Sequence, residues 1–343
     1  MARLDGRRLE ALLLRFPKVQ LLVLGDLFLD EYLFGEVDRV SAEAPVPVVH
    51  VGLESSALGG AGNVVRNVVA LGGRCVLGSV IGTDAAGRRI VDLVKELGID
   101  PGGLVEVEGR PTGHKTRVVA RSRQVVRFAQ QVVRIDRETT APLPSSEARR
   151  LLRWIDGQLP HVDGVVLEDY AKGLLTRGLL AAAMRRFRSA DVPVAVDPKT
   201  PLTLQKGVDL LKPNLPETED LTGIRIRERP DLERAAARLR RRIGGGRLVV
   251  TRGPEGMTLF EGEGAGIDVH TAAQEVFDVQ GAGDTTIAAL VLALRAGATL
   301  LEAAVIANAA AGVVVGKLGT ATASPPEVRK LLPAAIDAAR RAR

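Results

Sequence analysis

The feature that most restricts the fold of this 343-residue chain is a regular alternation of strand-like and helix-like segments from residue 146 onward. Short runs rich in Val, Leu and Ile predict buried strands, and longer amphipathic runs predict helices. The predicted elements are helices at 146–158, 177–187 and 231–243 and strands at 164–167, 193–196, 208–211 and 248–251. This order predicts an α/β fold with a mostly parallel central sheet flanked by helices.

The first half of the chain also alternates predicted strands and helices, but it contains two stretches that do not follow this alternation. The regular elements are a strand at 19–24, a helix at 63–71, a strand at 75–80 and a helix at 86–97. Residues 28–58 and 105–128 instead alternate apolar with polar or charged residues and show no helical period. We expect these two stretches to pair as a small β-sheet lid on a single domain that spans residues 1–343.

The most informative motif is DVQGAGDT at residues 278–285, which leads directly into an apolar helical run. A glycine turn before a helix presents free backbone N–H groups and the positive end of the helix dipole, which suits a phosphate. Asp284 lies at the entrance of this predicted anion site, where a carboxylate can act as general base on an attacking hydroxyl. The simpler alternative is that Asp284 only caps the helix, since Asp is a favoured N-cap residue.

Other phosphate-binding and metal-binding classes are excluded by their missing motifs. The sequence has no GxxxxGK[ST] loop, and Val65 stands where a dinucleotide fingerprint would need its third glycine. The four histidines show no metal-ligand spacing. A single cysteine, Cys75, excludes an intramolecular disulfide and is typical of a reducing cytosol.

Charge and hydropathy indicate the kind of partner to expect. The net charge is +6, but the arginines are spread over helical stretches and aromatic residues make up only 3%. Nucleic-acid binding is therefore not expected, whereas an anionic small molecule would benefit from the positive field. No apolar run approaches membrane-spanning length, and the start lacks a signal-peptide pattern. We expect a soluble, cytoplasmic protein without a membrane partner.

A second motif, GGAGN at residues 59–63, lies far upstream of DVQGAGDT. In this order and at this separation, the two motifs resemble those of the ribokinase-like (PfkB) carbohydrate kinases, over essentially the whole chain. The resemblance implies a ribokinase-like fold with a β-sheet lid, and ATP and Mg²⁺ as cofactors. It also implies that Asp284 is the catalytic base and that backbone N–H groups of Gly281, Ala282 and Gly283 stabilise the transferring phosphoryl group.

On the substrate side, the resemblance implies that Asp26, Gly59, Gly60 and Asn63 bind the sugar. A carboxylate at a strand end can accept hydrogen bonds from two neighbouring hydroxyl groups, which gives Asp26 a physical reason to be there. The alternative is that Asp26 only forms the turn after the first strand.

On the nucleotide side, LKPNLPE at residues 211–217 resembles the family's N-x-x-E motif. The motif implies that Asn214 and Glu217 organise the water shell of Mg²⁺, although Asn followed three residues later by Glu is also a helix capping box. By the same resemblance, Lys199, Thr251, Gly253 and Asn308 belong to the nucleotide site. Asp278 and the segment near Gly319 resemble the family's monovalent-cation loop, which would hold K⁺, but Gln280 replaces the usual Thr.

Further segments resemble the branch of the family that phosphorylates D-glycero-β-D-manno-heptose 7-phosphate. These segments are SAEAPVPV at 41–48, DYAKG at 169–173, DPK at 197–199 and NAAAGVVVGKLGT at 308–320. The resemblance implies transfer to the anomeric hydroxyl, giving the 1,7-bisphosphate used on the way to ADP-heptose and lipopolysaccharide core. Because no H-x-G-H nucleotidyl-transfer motif occurs, we expect a kinase only. The alternatives are a kinase of fructose phosphate or ribose, or a non-catalytic sugar-binding regulator, which the intact Asp284 disfavours.

A substrate that already carries a phosphate needs cations at its far end, and the lid supplies several candidates. These candidates are Lys115, Arg117, Arg121 and Arg127 in the lid, with Lys172 and Lys199 after core strands. Asp169, in the DYAKG segment, is a further predicted substrate-binding residue. Arginine binds phosphate through two parallel hydrogen bonds, so we expect some of these cations to contact the substrate phosphate. The alternative is a charged edge strand that prevents aggregation.

A small sheet that stands off the core has a face or an edge that needs cover. Family members often cover it by pairing two lids, and a two-fold dimer is the commonest soluble assembly. We therefore expect a homodimer whose interface includes Val46, Val48 and Val118 or their strand neighbours.

Overall fold

Two sheets organise the chain in the computed structural model, which describes residues 4–122, 129–262, 264–273, 276–317 and 319–341. The strands are β1 Gln20–Gly25, β2 Leu27–Val40, β3 Pro47–Gly60, β4 Arg74–Gly82, β5 Leu104–Val107, β6 Gly113–Ser122, β7 Ala129–Arg137, β8 Gly164–Glu168, β9 Val194–Asp197, β10 Leu210–Leu211, β11 Arg247–Thr251, β12 Met257–Phe260 and β13 Ile267–Val269. The helices are α1 Gly6–Leu13, α2 Ala61–Ala70, α3 Ala85–Glu96, α4 Ser145–Gln158, α5 Arg177–Ser189, α6 Leu215–Thr222, α7 Arg229–Ile243, α8 Ala282–Arg295, α9 Leu300–Val315 and α10 Pro325–Arg341.

The main sheet has nine strands in the order β13-β12-β11-β10-β9-β8-β1-β4-β5. The strands from β11 to β5 pair in parallel, and only β12 and β13 add an antiparallel edge. This confirms the predicted α/β class with a mostly parallel central sheet. It also brings the carboxyl ends of β1, β8, β9 and β10 to one edge, where open α/β sheets bind ligands.

Helices cover both faces of this sheet, and the apolar residues of β1 show why. Leu21 and Val23 pack into a cluster with α1, α2, α8, α9 and α10, whereas Leu22 and Leu24 pack into a cluster with α4, α5 and α7. Successive side chains of a strand point to opposite faces, so a continuous apolar run requires cover on both sides. The uninterrupted apolar run at residues 21–24 is therefore favourable in a central strand, where both faces are covered.

The second sheet has four strands in the order β3-β2-β6-β7 and forms the lid. Strand β2 pairs antiparallel with β3 and in parallel with β6, and β6 pairs antiparallel with β7. The stretch predicted at 105–128 thus divides between two sheets, because β5 joins the main sheet beside β4. Leu104 and Val105 are buried there, and this burial explains the different pairing. The lid also includes β7, beyond the predicted range, whereas residues 123–128 lie outside the described residues.

Two short helices and one boundary differ from the sequence-based prediction. Helices α1 and α6 have eight residues each, too short for a distinct period in the sequence. The GGAGN motif lies across a strand–helix junction, since β3 ends at Gly60 and α2 begins at Ala61. Among the described residues, no helix combines the length and the apolar character needed to cross a bilayer.

Phe187 tests the packing of the core that supports β8 and β9. It lies on α5 and is fully buried, so Phe187→Ala should lower the free energy of unfolding by about 3–5 kcal/mol. Leu14→Ala is the matched control, because Leu14 is 68% exposed and its loss should cost within about 0.5 kcal/mol. Urea unfolding followed by circular dichroism measures both, and similar losses for the two variants would contradict the assigned core.

Candidate active site

Asp284 lies in the first turn of α8, where the glycine turn meets the start of α2. Its carboxylate is buried, and each oxygen has a defined donor. Asn63 Nδ2 donates to Oδ2 at 2.6 Å, and the hydroxyl of Tyr170 donates to Oδ1 at 3.2 Å. The helix N-cap is Gly281, and no side-chain cap bond is present. The structure therefore does not support the alternative that Asp284 serves only as a helix cap.

The glycine turn depends on the absence of a side chain at Gly281. Gly281 has φ +75°, and a Cβ there would lie 2.5 Å from Asn63 Nδ2. A Cβ on Gly283 would lie 3.4 Å from the ammonium nitrogen of Lys212. The turn thus packs against both the amide that holds Asp284 and a buried cation.

Burial governs the protonation of Asp284. Removal from water raises the pKa of its carboxyl to about 6, although the Asn63 hydrogen bond, the Lys212 charge and the Tyr170 hydrogen bond oppose the rise. A carboxylate with this pKa is ionised at neutral pH and is a stronger proton acceptor than an ordinary Asp. Its environment therefore fits general-base chemistry.

Two further acids and one cation complete the centre of the site. Glu168 ends β8, Asp197 ends β9, and Lys212 directly follows β10. Lys212 Nζ lies 2.7 Å from Asp197 Oδ2, and the ligand oxygens of Glu168, Asp197 and Asp284 lie within 4.8 Å of one another. Among the described residues, Glu168 Oε2 is a buried oxygen without a hydrogen-bond partner.

Two opposing effects set the pKa values of these groups: burial disfavours their charged forms, and a neighbouring opposite charge favours them. Burial and the charges of Asp197 and Asp284 raise the pKa of Glu168 well above its usual value. Burial raises the pKa of Asp197 to about 7, against the lowering effect of Lys212. Burial would lower the pKa of Lys212, but the Asp197 carboxylate outweighs it and the net shift is upward. Lys212 is therefore a charged ammonium group beside the glycine turn.

A cleft of about 660 Å³ opens from Asp284 toward β11 and α9. It is lined by nucleotide-site and catalytic residues predicted from the sequence: Lys199, Asn214, Glu217, Thr251, Gly253, Asn308, Gly281, Ala282, Gly283 and Asp284. The exposed apolar residues Val276 and Val279 also line it. The volume falls within the range typical of small-molecule and cofactor sites.

The N-x-x-E segment at residues 214–217 forms a helix capping box and also lines the cleft. Asn214 is the N-cap of α6, with Glu217 N donating to Asn214 Oδ1 at 2.8 Å and Asn214 N donating to Glu217 Oε2 at 2.9 Å. This capping box faces the cleft, and Lys199 Nζ lies 3.5 Å from Glu217 Oε1. Among the described residues, Glu217 Oε1 therefore has a single long contact, with the exposed Lys199.

Asn308 and Asp278 act on neighbouring backbone in this structure. Asn308 donates to His270 O at 2.7 Å and accepts from Ala272 N at 3.2 Å, which fixes the strand end at the cleft. Asp278 accepts from Gln280 N at 2.9 Å and from Gly319 N at 3.1 Å. The two segments that resemble a monovalent-cation loop are thus in direct contact.

Asp26 and Asp169 are both satisfied by backbone and threonine donors. Asp26 accepts from the backbone N–H groups of Tyr170 and Lys172, each at 3.0 Å, and of Leu174 at 3.3 Å. Asp169 accepts from Ala171 N, Thr200 N and Thr200 Oγ1. In this structure both residues position the loop that carries Tyr170, so their contact with sugar stays a prediction.

Asp30, which the sequence analysis missed, is the carboxylate beside the glycine motif. A Cβ on Gly59 would lie 2.2 Å from Asp30 Oδ2, so the glycine makes room for this side chain. Arg117 donates to Asp30 Oδ1 at 2.7 Å, and its guanidinium lies 5.2 Å from the Tyr32 ring centre. Burial alone would lower the pKa of Arg117, but Asp30 raises it. The sequence signal that could have identified Asp30 is an Asp directly after three apolar residues, at the start of a predicted strand.

The remaining predicted cations lie in two places. Lys115 and Lys172 both contact Glu138, at 3.1 and 2.6 Å. The side chain of Arg121 and all of Arg127 lie outside the described residues. The lid sheet therefore brings Lys115 and Arg117 together with the core loop that carries Lys172.

Comparison with known proteins is consistent with this geometry. A family model described as pfkB family carbohydrate kinase matches residues 22–327. The chain belongs to the pfkB family of carbohydrate kinases. This membership confirms the predicted enzyme class and the resemblance on which the site residues were chosen.

Two similar curated proteins carry the name Bifunctional protein HldE. The protein from Trichlorobacter lovleyi is 42% identical over 326 residues, covering 95% of this chain and 65% of that protein. The protein from Geobacter metallireducens is 43% identical over 326 residues, with the same coverage. The chain thus spans 65% of the length of these relatives.

Solved structures show the same fold. Arabidopsis thaliana ribokinase, solved with ribose and ATP, gives a TM-score of 0.69 at 22% identity over 92% of this chain and 98% of that chain. Phosphofructokinase-2 from Escherichia coli, solved with potassium, gives 0.73 at 21% identity with the same coverage. These similarities confirm the predicted ribokinase-like fold with its small second sheet.

The hydrogen bond from Tyr170 yields a pH prediction. A donor to the ionised carboxylate lowers its pKa, so Tyr170→Phe should move the acid limb of kcat/KM from near pH 6 to higher pH. A substrate that carries its own phosphate would also titrate near pH 6, but that titration is the same for both enzymes. Initial rates from pH 5 to 8 measure the difference. An unchanged acid limb in the variant would contradict Asp284 as the titrating base.

Proposed function

We propose that this protein transfers the γ-phosphoryl group of ATP to the anomeric hydroxyl of D-glycero-β-D-manno-heptose 7-phosphate, giving the 1,7-bisphosphate for ADP-heptose and lipopolysaccharide core. One observation carries the kinase chemistry: a buried, raised-pKa carboxylate lies at a glycine turn that opens into a nucleotide-sized cleft. The heptose assignment rests on the segments at 41–48, 169–173, 197–199 and 308–320. Identity of 42% to a protein named HldE over 95% of the chain supports it.

In the proposed mechanism, Asp284 accepts the proton of the attacking hydroxyl. The sugar oxygen forms a bond to the γ-phosphorus while the bond to the bridging oxygen breaks, and ADP leaves. Backbone N–H groups at residues 281–284 stabilise the developing charge, and the Lys212 ammonium group lies beside them. Asn63 and Tyr170 hold the base in position. Asp30 accepts hydrogen bonds from the sugar hydroxyl groups, and Asp26, the sugar ligand implied by the family resemblance, is the alternative acceptor.

The donor set fits the Mg²⁺ ion that the family implies. Mg²⁺ prefers oxygen ligands and keeps several waters, and Glu168 Oε2 is a buried carboxylate oxygen without a partner among the described residues. Glu168 and Asp197 would hold the ion directly, and Asn214 and Glu217 would hold its waters. When bound, Mg²⁺ neutralises charge on the phosphates. K⁺ at the loop of Asp278 remains part of the proposal, supported by the contact of Asp278 with Gly319.

We also propose that the chain is one domain and acts in the cytoplasm. Two apolar clusters share the same central sheet, which supports a single folding unit for residues 1–343. ATP and a phosphosugar, rather than nucleic acid or membrane lipid, are the proposed partners. A kinase of fructose phosphate or ribose remains the alternative, because the fold accommodates several sugars.

The reaction is tested by the product and by the base. With ATP, Mg²⁺ and the heptose phosphate, phosphorus NMR should show a second signal coupled to the anomeric proton. Asp284→Asn should lower kcat by about two to four orders of magnitude while sugar and nucleotide still bind. Near-native turnover of the variant would contradict the base. Phosphorylation at another carbon, or a preference for fructose phosphate or ribose in a parallel assay, would contradict the heptose assignment.

Exposed apolar residues on the lid support the proposed homodimer. The exposed side chains in the described lid include Val46 and Leu53, 51% and 62% exposed, with Val133 and Ile135 on β7. Val48 and Val118 are half-buried neighbours. A paired lid would cover this surface and hold each lid over its sugar.

Light scattering at micromolar concentration should show a dimer for the native protein. Val46→Asp should give monomers with weaker sugar binding, because a buried charge disfavours the interface. Leu14→Asp is the control, because Leu14 is also apolar and is 68% exposed but directly follows α1 rather than lying in the lid. A monomeric native protein would refute lid pairing.

A further inference from the structure

A cluster of opposite charges lies where the lid meets the core. Lys115 on β6 and Lys172 after β8 both approach Glu138, which directly follows β7. Lys172 Nζ lies 2.6 Å from Glu138 Oε1, and Lys115 Nζ lies 3.1 Å from Glu138 Oε2. One carboxylate thus bridges two ammonium groups, one from the lid and one from the core. Lys115 has a second, longer contact of 3.4 Å with Asp136.

The other described cations of the site are engaged elsewhere. Arg117 is buried against Asp30 at 2.7 Å, and Lys199 lies on the nucleotide side near Glu217. Arg110 donates to the backbone oxygens of Lys172 and Ala141, which fixes the loop that carries Lys172. Within the described part of the site, Lys115 and Lys172 are the predicted substrate-binding cations that converge on one position.

This pair is connected to the catalytic base by an aromatic wall. The Lys115 ammonium lies 4.8 Å from the ring centre of Phe28, and Phe28 meets Tyr170 edge-to-face at 5.3 Å. Tyr170 in turn donates to Asp284 at 3.2 Å. Two aromatic side chains thus link the lysine pair to the catalytic base, in contacts of 4.8, 5.3 and 3.2 Å.

We propose that Lys115 and Lys172 form a two-point site for the distal phosphate of the substrate, and that Glu138 fills this site as an internal competitor until the phosphate binds. The proposal rests on the proposed function, since it names the group that receives the distal phosphate of the substrate. In the free enzyme the carboxylate oxygens of Glu138 lie where two phosphomonoester oxygens bind. A phosphate dianion displaces them, because it carries more charge and more acceptor oxygens for the same ammonium groups.

The arrangement selects phosphorylated over unphosphorylated sugars. A neutral sugar brings no charge that can replace Glu138, so the lysines keep their internal partner and add nothing to its binding. When a phosphosugar binds, the lysines exchange their contacts with Glu138 for stronger charge-assisted contacts with the phosphate. Glu138 therefore also limits phosphosugar affinity, because its negative charge competes for the same position.

The test compares heptose 7-phosphate with the same heptose lacking phosphate, using the 343-residue chain with ATP and Mg²⁺. Lys115→Met and Lys172→Met should each raise KM for the phosphosugar about ten- to a hundredfold, with kcat changed far less. The KM for the neutral heptose should change far less than the KM for the phosphosugar. Glu138→Gln should lower KM for the phosphosugar roughly two- to fivefold, since the pairs it breaks are partly exposed.

Asp136→Asn is the matched control, because Asp136 contacts Lys115 but does not bridge to Lys172. It should change KM by less than about twofold, and circular dichroism confirms that each variant folds. If Glu138→Gln raises KM equally for both sugars, Glu138 binds hydroxyl groups and the proposal is wrong. Lysine variants with unchanged KM would also overturn it. No turnover of the phosphosugar by the native enzyme would instead refute the proposed function.

Discussion

The site depends on the burial of the Asp284 carboxylate at the start of α8. A buried, ionised carboxylate persists only if donors compensate the lost water, and Asn63 and Tyr170 supply one hydrogen bond to each oxygen. These donors come from α2 and from the loop after β8, so the position of the base requires the GGAGN junction and the central sheet together. Gly281 then lets the chain turn beside Asn63 without a steric clash.

The same constraint explains why the neighbouring residues are charged. Glu168, Asp197 and Lys212 end or follow adjacent parallel strands, so the sheet itself brings them together. Three acids and one ammonium group leave excess negative charge when all are ionised. Burial and repulsion raise the pKa values of Asp197 and Glu168, and a divalent cation would favour their ionised forms.

The sequence predicted the central sheet and the two glycine motifs well, because continuous apolar runs and paired glycines are local signals. It failed where pairing depends on distant partners. The stretch at 105–128 divides between two sheets, since the buried residues of β5 join β4. The sequence also did not predict that Asp26 accepts hydrogen bonds from the loop after β8, or that Asp30 lies beside Gly59; sugar contact of Asp26 stays a prediction. No spacing in the sequence distinguishes these two carboxylates.

At each end of the site, lysine side chains form ion pairs with a carboxylate of the protein itself. At the nucleotide end, Asp197 balances Lys212, and at the lid end, Glu138 balances Lys115 and Lys172. Internal partners reduce the cost of holding cations in a partly dry site before any phosphate is present. They differ in strength, because Lys212 is almost fully buried whereas the lysines at the lid are partly exposed. Exchange of partners should therefore be easier at the lid, which is where a phosphosugar would enter.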